Sequence, residues 1–215
     1  GQGADEPWAG YDRYRGAQLS AYYSRLPVPI TAGLAQVLSR IPGRFERLSR
    51  GALALGERDV LTRFAKVYSF FSAEMKERLF NTALKERLSP DPYQARAALQ
   101  RIQCDVAGRD PLSQMLYIDT RSNLPDDLLM VADKTAMANS LEARVPYLDY
   151  RLVEFVERLP TRLKLKRGRA KYLHKRALEK WLPKDVVWRK KRGFANPVEH
   201  WFRVQMRPFV EECLL

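Results

Sequence analysis

Cysteine and histidine are scarce in this sequence. Its 215 residues include two cysteines, Cys104 and Cys213, and two histidines, His174 and His200, and no C-x-x-C pair occurs. Two widely spaced thiols argue against a disulfide framework, and so few soft ligands argue against a structural zinc site. We therefore expect two ordinary thiols, a usage that fits a reducing cytoplasm.

Long apolar runs and a leader segment are also missing. No stretch reaches the roughly 18 apolar residues that a membrane helix needs. The residues from Gly1 to Gly10 have neither the basic start nor the apolar centre of a signal peptide. The sequence begins with glycine rather than methionine, from which we expect this chain to be part of a longer protein.

The composition that remains is typical of a soluble globular domain, with 46% hydrophobic and 29% charged residues. The formal net charge of +13 fits a polyanionic partner, such as nucleic acid, a membrane surface or ATP, and it equally fits arginine-rich helix faces in solvent. No nucleic-acid motif accompanies the basic cluster between Arg162 and Lys171. We therefore expect neither nucleic acid nor a membrane as partner.

The apolar pattern predicts a mainly helical chain without a run of strands or an internal repeat. Prolines and glycines mark the breaks, and Gly1 to Gly16 is predicted to be a loop that leads into a short helix. Further helices are predicted over Thr31 to Leu55 with an interruption at Pro42, Asp59 to Arg87 as one or two helices, Tyr93 to Val106, Asp110 to Ile118, Leu124 to Met137, Arg151 to Leu159, Ala170 to Leu182, and Trp201 to Val210.

The first segment whose residues could bind a ligand or take part in catalysis is G-Q-G-A-D-E, from Gly1 to Glu6. Glycines let backbone amides approach a phosphate closely, and adjacent carboxylates can hold a magnesium ion on that phosphate. A plain flexible turn with two solvated acids has the same composition. The hexapeptide by itself favours the turn.

The second segment, from Leu124 to Tyr150, places charged residues within an apolar stretch. Helical spacing brings Asp133 and Lys134 near Met130 and Met137, although the two charged side chains point in different directions. Such charges either pair for structural reasons or face a site. Structural pairing is the simpler interpretation of the pattern alone.

The third segment is the basic stretch W-R-K-K-R-G-F, from Trp188 to Phe194. A lysine held between aromatic residues can neutralise charge that develops on an acyl or phosphoryl group. A basic surface loop is the simpler alternative.

Taken in order, the three segments resemble the glutamine-dependent asparagine synthases. G-Q-G-A-D-E-P-W-A-G-Y resembles that family's S-G-E-G-x-D-E-x-F-x-G-Y loop. L-P-D-D-L-L-M-V-A-D-K-T-A-M-A-N-S-L-E-A-R-V-P-Y-L-D resembles its longest signature, and G-R-A-K-Y-L-H-K-R-A-L with L-P-K-D-V-V-W-R-K-K-R-G-F resembles its C-terminal pair. The resemblance covers Gly1 to Tyr14 and Leu124 to Phe202, and the second segment is the most specific.

The resemblance implies that residues 1–215 are the helical C-terminal part of an α/β ATP-pyrophosphatase domain of the adenine nucleotide alpha hydrolase type. In the family this domain adenylates a carboxylate with release of pyrophosphate, and ammonia from an N-terminal glutaminase domain attacks the acyl-adenylate. The glutaminase cysteine and the S-G-G-x-D-S pyrophosphate loop do not occur in this sequence. ATP and magnesium are therefore expected to bind largely to upstream residues. The expected partners are aspartate or a related carboxylate, ammonia, and a second copy of the chain in a homodimer.

The resemblance also implies roles for individual residues. Asp5 would hold magnesium-pyrophosphate in a loop shaped by Gly1 and Gly3, with Glu6 adjacent. Lys191, the lysine of the family's W-R-x-K, would stabilise negative charge during catalysis. Residues expected to line or support the carboxylate-substrate side are Gln2, Asp133, Lys134, Glu142 and Arg144, of which Glu142 is assigned to catalysis with Lys191.

Two alternatives stay open on the residues. Glu142 and Arg144 could form a buried structural pair instead of facing substrate. Gln2 replaces a glutamate of the family loop, so that the shape and hydrogen bonding are kept while the charge and any proton-accepting role are lost. Pro7 and Trp8 also depart from the family pattern.

Two other functions compete with asparagine synthesis. One is that of a relative that amidates or closes another carboxylate, such as a β-lactam synthetase, and the other is that of a non-catalytic basic helical module.

Overall fold

A computed structural model of the chain describes residues 2–23, 26–27, 30, 33, 57, 59–69, 71, 73–87, 94–190 and 197–214. These residues form two compact units, Gly1–Ala177 and Leu178–Leu215. The helix predicted from Thr31 to Leu55 lies almost wholly outside the described residues.

The described parts of both units are helical and contain no strand; an antiparallel bridge joins Lys166 to Arg169. The mainly helical fold class is confirmed. In the first unit the helices are α1 Asp12–Tyr23, α2 Val60–Tyr68, α3 Ala73–Leu79, α4 Thr82–Arg87, α5 Gln94–Cys104, α6 Pro111–Arg121, α7 Met130–Met137, α8 Tyr150–Arg158, α9 Thr161–Lys164 and α10 Tyr172–Leu178, whose last residue begins the second unit. The second unit then has α11 Lys184–Trp188, α12 Val198–Arg203 and α13 Arg207–Leu214. A π-helical turn, Leu124–Leu129, precedes α7, and a 3-10 turn, Pro146–Leu148, precedes α8.

Helix α6 is the centre of the first unit. Its start is fixed locally, because the Asp110 carboxylate accepts hydrogen bonds from two backbone amides of the first turn while Pro111 needs no partner there. Helices α1, α2 and α5 and the π-helical turn all pack against it. The apolar residues that α6 buries are Leu112, Met115, Leu116 and Ile118. Burial on several sides of one helix explains why it organises the core.

A buried carboxylate, Asp119 of α6, ties three helices together. The Arg13 guanidinium of α1 lies 2.7 Å from Asp119 Oδ2, and the hydroxyl groups of Tyr14 and Tyr68 both donate to the same carboxylate. Asp119 is fully buried, so the ion pair and the two hydroxyl groups offset the cost of removing its charge from water. The cluster therefore holds α1 and α2 to α6.

Three predicted helices differ from the observed ones. The segment from Asp59 to Arg87 forms three helices rather than one or two. The helix predicted from Leu124 to Met137 begins with a widened π-helical turn, which contains Pro125, a residue with no N–H to donate. The helix predicted from Trp201 to Val210 is two helices, because Pro208 cannot continue an α-helix from the preceding turn.

Among the described residues, no helix is both long enough and apolar enough to span a membrane.

Candidate active-site loop

Residues 2–10 form a compact loop ahead of α1. The Gly10 amide donates to the Asp5 carbonyl at 2.7 Å and closes the turn. Gly3 has a left-handed backbone with φ +78°, and a Cβ atom there would collide with the Leu148 side chain. Glycine is therefore required at position 3 both for its backbone conformation and for the approach of Leu148.

Within the first unit, the loop contacts the second sequence segment and the G-R-A-K block. Gly3, from the first segment, contacts Leu148, from the second. Asp5 pairs with Lys171, which belongs to the G-R-A-K block, and the distance between Asp5 Oδ1 and Lys171 Nζ is 2.8 Å. These two side chains also fill the space where a Cβ atom of Gly10 would lie. Residues far apart in the sequence thus form one site.

Contacts among three aromatic rings stabilise the same arrangement. The Trp8 ring meets the His174 ring edge-on with centroids 5.1 Å apart, and the Tyr147 ring lies 5.4 Å from His174 on a tilted plane. Ring pairs of this geometry add to the apolar burial of Trp8. Burial, and then the charge of Lys171, lowers the pKa of His174. The loop is therefore packed between the 3-10 turn and the start of α10.

Glu6 faces the interior beneath the loop. Its side chain is 0% exposed, and the Tyr11 hydroxyl donates to Glu6 Oε1 at 2.6 Å. The Arg13 guanidinium lies 3.8 Å from the Tyr11 ring centroid and also pairs with Asp119. Arg13 therefore connects Tyr11 to the Asp119 cluster. Burial and the bond to Glu6 raise the pKa of Tyr11. Glu6 thus anchors the loop from within, whereas the sequence alone suggested a solvated acid.

The residues expected on the substrate side lie on exposed structure. Asp133 and Lys134 are exposed on α7, and Gln2 is exposed at the start of the loop. Glu142 and Arg144 form an ion pair at 2.7 Å, but both side chains are largely exposed, which corrects the alternative of a buried pair. Within the described part of the chain, none of the four on the second segment bonds to the 2–10 loop.

Two expected site residues, Gly1 and Lys191, lie outside the described residues. The tryptophan of the W-R-x-K motif, Trp188, is described within the second unit, and its indole N–H donates to Glu179 at 2.6 Å. This bond holds the last residue of α11 to the segment that precedes it.

Lys171 and Tyr11 were not among the residues predicted for the site. Lys171 lies inside the G-R-A-K block that carries the resemblance, so the block pointed to it, although nothing local indicated a pairing with Asp5. Tyr11 closes the glycine-rich motif, and its hydroxyl partner became evident only from the packing of Glu6.

Comparison with known proteins agrees with this convergence. The family described as "Asparagine synthase", an ATP pyrophosphatase-type domain, matches residues 1–215. A putative asparagine synthetase [glutamine-hydrolyzing] of Mycobacterium tuberculosis (strain ATCC 25618 / H37Rv) is 35% identical over 94% of this chain and 30% of its own length. Asparagine synthetase [glutamine-hydrolyzing] 1 of Bacillus subtilis (strain 168) is 30% identical over 100% of this chain and 33% of its own length.

A more distant similarity is to Amidase chyE of Penicillium rubens, 27% identical over 94% of this chain and 32% of its own length. No solved structure matches the chain. The chain thus spans 30–33% of the length of these curated relatives. Because the family match runs through the loop, the second segment and the C-terminal blocks alike, the chain belongs to the asparagine synthase family.

Proposed function

We propose that the protein amidates a carboxylate at the expense of ATP, with aspartate as the first candidate substrate. The carboxylate attacks the α-phosphorus of ATP, pyrophosphate leaves, and ammonia then displaces AMP from the acyl-adenylate. The observation that carries the proposal is that the 2–10 loop contacts Leu148 of the second segment and Lys171 of the G-R-A-K block, where Asp5 meets Lys171 at 2.8 Å. The names of the relatives support the same reaction class.

Asp5 and Lys171 form the phosphate side of the proposed site. No group of three or more His, Cys, Asp or Glu side chains converges in the described ranges, so these residues offer no complete protein cage for a metal. Mg²⁺ typically takes one or two carboxylates and completes its octahedron with phosphate oxygens and water, and Asp5 fits that limited donor set. When bound, magnesium would neutralise phosphate charge, while Lys171 orients the Asp5 carboxylate and adds a second cation.

The rest of the loop shapes this side. Gly3, together with Gly1 as the resemblance implies, would keep the loop free of side chains near a bound phosphate. Buried Glu6 fixes the loop through Tyr11. We assign Glu6 to positioning of the loop rather than to direct binding, because its side chain is fully buried.

The substrate side is assigned to exposed residues and to Lys191. Lys191 would stabilise the charge that develops when the carboxylate or ammonia attacks, and Glu142 is the second residue assigned to catalysis. Residues proposed to bind or support the carboxylate substrate are Gln2, Asp133, Lys134 and Arg144. We place the reaction in the cytoplasm, with ammonia delivered by a glutaminase domain.

We propose that the 215-residue chain is inactive alone, since it spans 30–33% of its relatives and has no S-G-G-x-D-S loop. The main experiment therefore uses the full-length protein and measures pyrophosphate release with magnesium-ATP and a panel of carboxylates led by aspartate. Aspartate-dependent release that collapses in Asp5→Asn and Lys191→Ala supports the proposal. Asp12→Asn is the matched control, since Asp12 is an exposed acid whose ion-pair partner among the described residues is Arg15, at 3.1 Å. No release with any acid would refute the amidation reaction, and ATP cleavage by the 215-residue chain would refute its inactivity.

A second candidate is amidation of a carboxylate other than aspartate. Two observations favour it: Gln2 carries no charge where the family loop has glutamate, and Amidase chyE is among the relatives. Release with another acid but not with aspartate would establish this candidate. A Gln2→Glu variant adds the missing carboxylate, and a gain of aspartate-dependent release in that variant would show that position 2 selects the substrate.

A further inference from the structure

A cavity of about 630 Å³ lies in the first unit, lined by the α5–α6 connection, α6 and the α8–α9 segment. Its size is within the range of small-molecule sites. The lining includes Pro7 and Lys164, the last residue of α9. Pro7 of the 2–10 loop lines the cavity, whereas Asp5 and Lys171 do not.

Lys164 is an unusual group for such a wall. It is 4% exposed, and in the described part of the chain its ammonium group has no hydrogen bond or ion pair. Burial lowers its pKa to about 8, against the opposing charges of Glu157 and Asp110. Because Lys164 borders the cavity, water or a ligand there can supply acceptors to its ammonium group in place of protein groups.

The acids that line the cavity already have donors of their own. Glu157 accepts from Arg121 at 2.5 Å, and Asp105 accepts from the Tyr117 hydroxyl at 3.0 Å. Asp110 accepts from two amides and a hydroxyl group at the start of α6. Their bonding capacity is thus directed away from Lys164.

The cavity lining also contains two arginine side chains. Arg109 and Arg158 also line the cavity and are exposed, and within the described ranges the ion pair of Arg158 is a long one, 3.6 Å from Glu154. Thr161 adds a hydroxyl group next to Lys164 in the α9 turn. One buried cation behind two exposed arginines is an arrangement that attracts and then desolvates an oxyanion.

We propose that this cavity binds a small ligand with phosphate or carboxylate groups, one of which contacts Lys164 while Arg109 and Arg158 hold the other end. The ligand stands in for the missing acceptor of the buried ammonium group. The lining of this cavity does not include Asp5 or Lys171, and we expect its occupancy not to depend on turnover.

The test is calorimetric titration of the full-length protein, without ATP or magnesium, with three separate probes: inorganic phosphate, pyrophosphate and succinate. Binding of at least one probe is expected, and the identity of the probe separates a phosphate ligand from a dicarboxylate. In Lys164→Met the dissociation constant should rise about tenfold or more, as expected for loss of a charge-assisted bond. Lys166→Met is the matched control, because Lys166 is exposed, contacts Tyr172 and does not line the cavity, and it should bind as the native protein does.

Two further measurements test whether the anion binds at Lys164. Asp5→Asn should retain the binding event that Lys164→Met weakens, and loss of that same event in Asp5→Asn would place the anion at Asp5 and refute the proposal. In the unsubstituted protein, the bound probe should protect Lys164 from an amine-acylating reagent, with modification mapped by mass spectrometry. Failure of all three probes to bind at millimolar concentration, or equal binding by Lys164→Met, would also refute it.

Discussion

Lys171 Nζ lies 2.8 Å from Asp5 Oδ1, and the two side chains are only 22% and 24% exposed. This ion pair joins the 2–10 loop to the start of α10, and it places a cation next to the carboxylate proposed for magnesium-pyrophosphate. Partial burial makes such a pair stronger than one at the surface. Lys171 therefore ranks with Asp5 among the residues to test in the proposed reaction.

The Asp5–Lys171 pair should act as a unit in pyrophosphate release. We expect Lys171→Met and Asp5→Asn in the full-length protein each to lower kcat about 10²–10³-fold, as does loss of one fixed group that stabilises developing charge. The double variant should be little worse than either single one, because the two groups share one function. Additive losses in steady-state kinetics would show that the residues act independently.

Asp119 should be essential for stability. Replacement by asparagine leaves the Arg13 guanidinium without its ion-pair partner and weakens the bonds from Tyr14 and Tyr68. We expect Asp119→Asn to lower the free energy of unfolding by about 3–5 kcal/mol. Urea denaturation measures this loss.

Asp105→Asn is the control for that measurement, because Asp105 is exposed and accepts only from the Tyr117 hydroxyl. It should change the free energy of unfolding by less than about 1 kcal/mol. Similar losses for the two variants would contradict the role given to the buried cluster.

Gly3 should tolerate no side chain. Alanine at position 3 requires a left-handed backbone and collides with Leu148, so Gly3→Ala should cost about 1–3 kcal/mol and loosen the loop. Thermal denaturation of Gly108→Ala provides the comparison, since a Cβ atom at Gly108 meets no atom within 4 Å. Equal stability of the two variants would mean that the loop does not depend on the contact with Leu148.

Lys164 should make stability rise with pH in the alkaline range. Its pKa is about 8 in the folded protein and near 10.4 in an unfolded chain, so between these values the unfolded state binds more protons and deprotonation favours folding. The free energy of unfolding of the native protein, relative to Lys164→Met, should therefore increase by about 1–3 kcal/mol from pH 8 to pH 10.5. Subtracting the variant removes the contribution of the tyrosines. A difference that stays constant with pH would show that Lys164 does not carry a lowered pKa.

Local signals in the sequence were sufficient for several helices. Asp110 and Pro111 marked the start of α6 because a capping carboxylate and a proline act on the first turn alone. Near the end of the chain the prediction of one helix from Trp201 to Val210 was wrong, since the structure has two helices and Pro208 lies in the first turn of the second. The burial of Glu6 was not predictable, because its partner Tyr11 stabilises it only once α1 packs on the core.

The sequence by itself determined the helical character of the chain, the family resemblance and the identity of Asp5 as a candidate ligand, since all three depend on residue type and on spacing along a short segment. Only the tertiary structure decided that Lys171 pairs with Asp5, that Glu6 points inward and that Lys164 faces a cavity without a partner. Those relationships depend on which distant segments pack together and on how much water remains around each charge, and neither is encoded in local periodicity.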